Sequence, residues 1–162
     1  PTQYARELEA VWYRDWVCVG RFEDLRETGD FLVAGIGDES LVVTRDRDGQ
    51  PRAFHNSCRH RGSRLCSTTR GRFANGRIVC PYHAFTYDLD GRLIATPRRM
   101  ATPDFAFEKF PLFTVAVGSW GGFVFVNLAG RKARPLPESL GGLPARFERY
   151  GFAGLRIGMG TS

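Results

Sequence analysis

Two short motifs of this chain each pair one thiol with one imidazole. Cys58 and His60 form a C-x-H motif, Cys80 and His83 form a C-x-x-H motif, and 19 residues separate the two. A two-iron, two-sulfide cluster can take two thiolates on one iron and two histidines on the other. The two motifs meet that requirement if they face each other. Their spacing therefore predicts a [2Fe–2S] cluster with Cys58 and Cys80 on the inner iron and His60 and His83 on the outer iron.

Other uses of these four residues fit the spacing less well. A structural zinc site usually draws its ligands as C-x₂₋₄-C and H-x₃₋₅-H pairs, whereas each motif here mixes the two ligand types. A zinc deaminase requires H-x-E followed by P-C-x-x-C. No Glu stands two residues after either histidine, and Cys80 has no second thiol three residues later. Four unrelated core residues are the third interpretation, and their compact pairing argues against it.

The residues around the motifs carry a resemblance to a known family. The run 58–65 reads CRHRGSRL and the run 80–93 reads CPYHAFTYDLDGRL. Both resemble the Rieske [2Fe–2S] domain of ring-hydroxylating and related non-haem iron oxygenases, the N-terminal part of their large subunit. The run 120–127, WGGFVFVN, is similar to a strand of the same proteins. The resemblance covers most of residues 10–130 and implies that Cys58, His60, Cys80 and His83 are the ligands of one [2Fe–2S] cluster per chain.

The chain departs from the family pattern after the second histidine, where Ala84-Phe85 replaces the usual Gly-Trp. An Ala is restricted from backbone angles that Gly adopts freely, and Phe lacks the indole N–H. Rieske proteins of the respiratory complexes also carry an extra Cys in each loop. The matching positions here are Ser63 and Tyr82, so that bridge is not expected. Their hydroxyls are either candidate donors to the cluster sulfurs or ordinary turn residues.

The histidine count limits the chemistry of the chain itself. Oxygenases of this family also hold a mononuclear Fe(II) through two histidines and a carboxylate. His55 is the one histidine outside the motifs, so we expect that iron in a separate catalytic domain and expect His55 to be a strand residue with a hydrogen-bonded ring. The predicted function is one-electron transfer, as the relay domain of a non-haem iron oxygenase. A free-standing Rieske-type ferredoxin is the alternative.

The resemblance also implies partners. A reductase or ferredoxin would donate electrons, and a neighbouring oxygenase subunit or catalytic domain would accept them, in a homotrimer of the full-length protein. The C-P-Y-H form of the second motif and the A-T-P run at 101–103 favour a quaternary ammonium substrate over an aromatic one for the parent enzyme. We expect no nucleic acid and no membrane among the partners.

The elements that must position the motifs are mostly short strands. Apolar residues at three- and four-residue spacing predict a helix over 4–16. Runs rich in β-formers predict strands at 17–22, 31–36, 40–45, 51–55, 77–80, 85–88, 93–95, 113–117 and 122–127. The turn signals at 48–49, 75–76 and 90–91 lie between strands, as in antiparallel hairpins. Short helices are predicted near 137–140 and 143–150.

Together these elements predict a mostly β fold, a Rieske-type antiparallel β-sandwich with a small cluster-binding subdomain and short terminal helices. The predicted organisation is an N-terminal helix at 1–16, the Rieske domain at 17–130 with cluster-binding loops at about 55–90, and a connector at 131–162 toward a catalytic domain. Residues 97–111 are predicted to form a long loop over the sheet.

Length and composition fit one domain without a membrane segment. The chain has 162 residues, of which 43% are apolar and 25% charged, as in ordinary globular domains. No apolar run is long enough for a membrane-spanning helix, and the start lacks a secretory signal, so we expect a cytoplasmic protein. Cys18 and Cys66 show no pattern of a disulfide framework. Both are predicted to be small buried side chains.

The formal net charge is +6, and arginines are concentrated around the motifs. They are Arg59, Arg61, Arg64, Arg70, Arg72, Arg77, Arg92, Arg98 and Arg99. This distribution predicts either a docking surface for an acidic electron donor or an acidic neighbouring subunit, or a solvated face. No basic helix or aromatic-interleaved sheet motif supports nucleic-acid binding.

Overall fold

The computed structural model describes residues 2–97, 102 and 104–156. Its strands are β1 (Val17–Arg21), β2 (Asp30–Ile36), β3 (Glu39–Arg45), β4 (Pro51–His55), β5 (Arg70–Arg72), β6 (Arg77–Val79), β7 (Thr86–Asp88), β8 (Leu93–Ala95), β9 (Thr114–Trp120) and β10 (Phe123–Asn127). Its α-helices are α1 (Gln3–Glu7), α2 (Leu136–Leu140) and α3 (Leu143–Phe147), and a π-helical turn, Leu8–Trp12, continues α1. Strands form the body of the protein, so the predicted mostly β fold is confirmed.

Seven strands form one antiparallel sheet in the order β1-β10-β9-β4-β3-β2-β5. Gly121 and Gly122 close the β9–β10 hairpin with φ angles of 59° and 80°. A two-residue hairpin turn of this kind needs positive φ at both positions, which Gly adopts without strain. The pairing of β4 with β9 joins this hairpin to the β2–β3–β4 meander.

Apolar side chains cover both faces of β3, an interior strand of the large sheet. Leu41 and Val43 belong to one buried cluster, whereas Val42 between them belongs to a second. Successive side chains of a strand point to opposite faces, so the unbroken Leu-Val-Val run marks a strand that is buried on both sides. The first cluster also contains Leu25, Leu32, Ile36, Ala53, Val115, Val124 and Val126.

The second cluster joins the large sheet to a separate three-stranded sheet, β6-β7-β8. Ile78 and Tyr87 of the small sheet share this core with Phe31 and Phe54 of the large one. The first motif follows β4, and the second lies between β6 and β7. The shared core therefore holds together the two parts of the chain that carry the motifs.

Several predicted features differ in the structure. Cys18 is exposed, not buried, because it lies on β1, an edge strand of the large sheet. The turn at 75–76 does not close a hairpin, because β5 and β6, which flank it, belong to different sheets. Strand β5 was not predicted, since all three residues of its sequence Arg-Gly-Arg are exposed and it has no apolar pattern.

The N-terminal helix ends at Trp12, earlier than predicted. The chain then turns so that Trp16 Nε1 donates a hydrogen bond to the Arg134 carbonyl at 2.8 Å. Asn127 Nδ2 likewise donates to the Arg14 carbonyl at 3.0 Å. The N-terminal segment therefore contacts both the segment after β10 and β10 itself. The division into units at 1–16, 17–130 and 131–162 stays a prediction.

Part of the predicted loop at 97–111 lies within the described residues. It contains a 3₁₀ turn, Phe107–Lys109, and the side chains of Phe105, Phe107 and Phe110 pack against the second core cluster. Residues 98–101, 103 and 157–162 lie outside the described residues, and with them Arg98, Arg99 and most of the A-T-P run. In the part of the chain that is described, no helix is both long and apolar enough to cross a membrane.

Candidate functional site

The first motif lies in a loop that closes its own backbone hydrogen bonds. The Cys58 N–H donates to the Ser63 carbonyl at 2.8 Å, and the Gly62 N–H donates to the Cys58 carbonyl at 2.9 Å. Gly62 takes a φ of 70°, in the left-handed region that Gly occupies at little cost. The loop thereby holds the Cys58 and His60 backbone in a fixed turn directly after β4.

The second motif repeats this geometry. The Cys80 N–H donates to the Phe85 carbonyl at 2.8 Å, and the Ala84 N–H donates to the Cys80 carbonyl at 3.0 Å. Ala84 takes the position that corresponds to Gly62, with a φ of 53°. For an L-residue this conformation costs about 1–2 kcal/mol. The departure from the Gly of the family therefore leaves the turn intact and adds backbone strain.

The two loops bring the four predicted ligands together as two pairs. Cys58 and Cys80 are 3% and 2% exposed and lie close enough for their sulfurs to interact. The His60 and His83 Nδ1 atoms are 3.1 Å apart, and both rings are half-buried. Within the described residues, no three Cys, His, Asp or Glu side chains surround a common point for a single metal ion. Two thiols beside two imidazoles match the donor set that a two-iron cluster divides between its irons.

Burial favours the protonated form of the Cys58 thiol. Burial raises the pKa of the Cys58 thiol, and the neighbouring Cys80 adds to this effect. A metal that binds here must therefore displace a proton. Burial also raises the pKa of the Cys66 thiol to about 12. Cys66 is 6% exposed and lies in the second core cluster, which confirms its predicted role as a small buried side chain.

A tyrosine that sequence reasoning missed lies against the thiols. The Tyr87 hydroxyl lies 3.2 Å from Cys58 Sγ and accepts a hydrogen bond from the Arg59 N–H at 3.1 Å. Burial and the bond to Cys58 raise the pKa of Tyr87, so its proton is available for the sulfur. Tyr82, one of the two predicted donors, is instead 60% exposed, with its ring centre 3.7 Å from that of His83.

Asn56 is a second residue that the motifs did not reveal. Its side-chain oxygen accepts hydrogen bonds from the Leu65 and Cys66 N–H groups at 3.0 and 2.8 Å. Its side-chain nitrogen donates to the Cys66 carbonyl at 2.9 Å and to Ser40 Oγ at 3.1 Å. Because Asn56 is buried, it ties the far end of the first ligand loop to β3. The sequence signal that could have identified Asn56 is its position, as a polar residue directly before a ligand loop.

His55 does not join the site. Its Nδ1 lies 3.0 Å from Glu39 Oε2 on the neighbouring strand β3, and its ring meets Phe113 edge-on. The prediction of a strand residue with a hydrogen-bonded ring is confirmed.

Comparison with known proteins decides the family. Residues 15–110, which include both motifs and more than half of the chain, match the Rieske [2Fe–2S] domain. The chain belongs to the Rieske [2Fe–2S] domain family. The resemblance carried by the two motifs is confirmed, and membership implies that this Rieske domain holds a [2Fe–2S] cluster.

Several proteins similar to this chain are oxygenases or oxygenase subunits. The glycine betaine monooxygenase oxygenase subunit of Chromohalobacter salexigens is 43% identical over 129 residues, which cover 80% of this chain and 28% of that protein. The apo structure of the quaternary ammonium Rieske monooxygenase CntA matches with a TM-score of 0.80 and 32% identity, over 90% of this chain and 41% of that one. Naphthalene 1,2-dioxygenase from Rhodococcus sp., bound to indole, matches with a TM-score of 0.81 and 28% identity, over 90% and 33%. The chain thus spans less than half the length of each of these proteins.

Proposed function

We propose that the chain relays single electrons through a [2Fe–2S] cluster, with Cys58 and Cys80 bound to one iron and His60 and His83 to the other. The observation that carries this proposal is the convergence of a buried thiol pair and a half-buried imidazole pair from two loops of the same geometry. When bound, the cluster supplies a reversible one-electron couple.

The residues of the site favour a comparatively high reduction potential. Neutral imidazoles in place of two thiolates reduce the negative charge on the metal centre, and this raises the potential. The Tyr87 hydroxyl, as a donor to Cys58 Sγ, stabilises the more negative reduced state and acts in the same direction. Since the thiols are buried and the imidazoles half-buried, a partner protein approaches the site on the imidazole side.

We also propose that this Rieske domain is the electron-relay part of a non-haem iron oxygenase. The relatives support this because they are named as oxygenases or their subunits. The mononuclear Fe(II) that receives the electrons needs two histidines and a carboxylate, and His55 is the one remaining histidine. That iron would belong to a separate catalytic domain. The full-length protein would form a homotrimer in the cytoplasm. The names of the relatives favour a quaternary ammonium substrate.

The proposed electron donor is a reductase or ferredoxin. Its acidic surface docks on the arginines of the first ligand loop of this chain. The structure divides the arginines into two groups. Arg70, Arg72 and Arg92 form ion pairs with Asp24, Asp30 and Asp90. Arg61 and Arg64 are exposed, and no carboxylate of the described chain lies within ion-pair distance of either. Their charge is therefore available to an acidic partner.

The cofactor assignment is tested on the purified protein. Analysis should find about two irons and two acid-labile sulfides per chain, and the reduced protein should give a rhombic EPR signal at low average g. His60→Cys should lower the reduction potential, because a thiolate then replaces a neutral imidazole. One zinc per chain, or an unchanged potential in His60→Cys, would overturn the assignment.

The donor surface is tested by stopped-flow reduction with an acidic ferredoxin at low salt. Arg61→Gln should slow the second-order reduction about two- to threefold, because rim charges act mainly on the association rate. Arg70→Gln removes the same charge from an arginine that is already paired with Asp24, and is the matched control. Equal slowing by both variants would contradict docking on the first loop.

A further inference from the structure

The ring of Phe85 lies flat against the imidazole of His60. The two ring centres are 4.6 Å apart, and their planes differ by 9°. Phe85 belongs to the second ligand loop, whereas His60 belongs to the first, so the contact crosses the gap between the loops. Phe85 is 3% exposed, and the stack is therefore shielded from water.

The Phe85 ring is itself held in place from two directions. The backbone carbonyl of Phe85 accepts a hydrogen bond from the Cys80 N–H at 2.8 Å, which closes the second loop. Its ring meets Phe105 edge-on, with centres 6.5 Å apart, and Phe105 stacks on Phe110 with centres 5.0 Å apart. The left-handed turn at Ala84 directs the chain from His83 back into this position. Phe85 is thus a fixed surface, and not a mobile side chain that happens to lie near a ligand.

The His60 imidazole is confined by this surface together with the second histidine. One face lies on Phe85, and His83 meets the ring at 68° with centres 4.9 Å apart. A flat face contact combined with an edge contact leaves little freedom for rotation about the terminal side-chain torsion, which is otherwise broad for histidine. The other imidazole differs, because its aromatic neighbour Tyr82 is tilted by 33° against it and is 60% exposed.

We infer that Phe85 is a positioning residue for His60: by stacking across the loops, it fixes the plane of the imidazole that would bind the outer iron. The inference rests on the proposed cluster ligands and adds a role that the four-ligand pattern does not contain. Its physical basis is preorganisation, since a ligand that is already oriented loses less entropy on binding metal and is released more slowly. A ring that is free to turn would release iron faster and perturb the electronic structure of the centre.

The test compares Phe85→Leu with Phe54→Leu in the cluster-loaded protein. Both substitutions remove a buried aromatic ring from the same core, but only the first removes the flat contact with His60. Phe85→Leu should accelerate iron loss to a chelator about three- to tenfold, the factor expected for one aromatic contact, and should shift the EPR g values of the reduced protein. Phe54→Leu should lower the urea midpoint and leave the g values unchanged. Phe85→Trp should restore the parental g values and slow iron loss, because it keeps a flat ring.

Two results would overturn the inference. One is a Phe85→Leu protein with parental g values and parental iron loss. The other is a Phe54→Leu protein that shifts the g values as much as Phe85→Leu does. Failure of the proposed function is distinguishable, because the parent protein would then lack the rhombic signal before any substitution is made.

Discussion

The hydrogen bond between Tyr87 and Cys58 provides a quantitative prediction for the reduction potential. The reduced cluster carries one more negative charge than the oxidised one, and a hydrogen bond to a charged acceptor is roughly twice as strong as a neutral bond of about 1 kcal/mol. The bond at 3.2 Å should therefore stabilise the reduced state by about 1 kcal/mol relative to the oxidised state. For a one-electron couple this is about 40 mV. Tyr87→Phe should lower the reduction potential by about that amount.

The same substitution has a separate effect on stability. The Arg59 N–H loses its acceptor. Because Arg59 is only partly buried, the cost is at the lower end of the range of about 1–3 kcal/mol for an unsatisfied buried donor. The potential must therefore be measured on folded, cluster-loaded protein, by a redox titration followed by EPR. Tyr82→Phe is the matched control: Tyr82 is 60% exposed, and because water competes for hydrogen bonds with an exposed hydroxyl, the shift in potential should stay below about 10 mV.

The result that would refute this reasoning is specific. If Tyr87→Phe retained its cluster and its potential stayed within about 10 mV of the parent protein, the hydroxyl would not act on the redox centre. An increase in the reduction potential would also refute it, because the hydroxyl would then favour the oxidised state.

The remaining predictions concern thiol reactivity, backbone strain and loop anchoring. At about pH 8, iodoacetamide should label Cys18 and spare Cys66, because burial raises the pKa of the Cys66 thiol to about 12 and only thiolate reacts; peptide mass spectrometry that finds both labelled would contradict this. Ala84→Gly should raise the free energy of unfolding by about 1 kcal/mol, since relief of the left-handed strain outweighs the added chain entropy, and a lower urea midpoint would be the contrary outcome. Asn56→Leu should lower the free energy of unfolding by about 3 kcal/mol through the loss of buried hydrogen bonds. A decrease in that free energy no larger than the decrease caused by Ser40→Ala would refute the anchoring role.

The four ligand candidates and the strand-rich fold were predictable because each depends on short-range pattern. Thiol and imidazole alternate within two motifs, and turn residues separate runs of β-formers. Strand β4 was predicted with its observed bounds, Pro51–His55, since an apolar core lies between clear turn signals. Strand β5 escaped prediction because an edge strand can be held by backbone pairing with β2 alone, and backbone pairing leaves no trace in side-chain type.

The supporting shell was not predictable, because its members act across long sequence separations. Tyr87, on β7 of the small sheet, contacts Cys58 in the first ligand loop, and Phe85 stacks on His60 from the opposite loop. The sequence singled out Phe85 only as a departure from the Trp of the family, and neither residue type indicates a contact with the opposite loop. The prediction that Cys18 is buried was wrong for a related reason. An apolar run identifies a strand, but it does not show whether that strand lies at the edge of its sheet.

The matching turns of the two ligand loops bear on how the protein matures in the cell. Each turn is closed by its own main-chain hydrogen bonds, and none of these bonds uses a ligand side chain, so we expect the two loops to form when the chain folds. Small zinc-dependent domains behave in the opposite way and stay unfolded without their ion. Iron starvation should therefore lower the loaded fraction of this protein without lowering the amount that is folded.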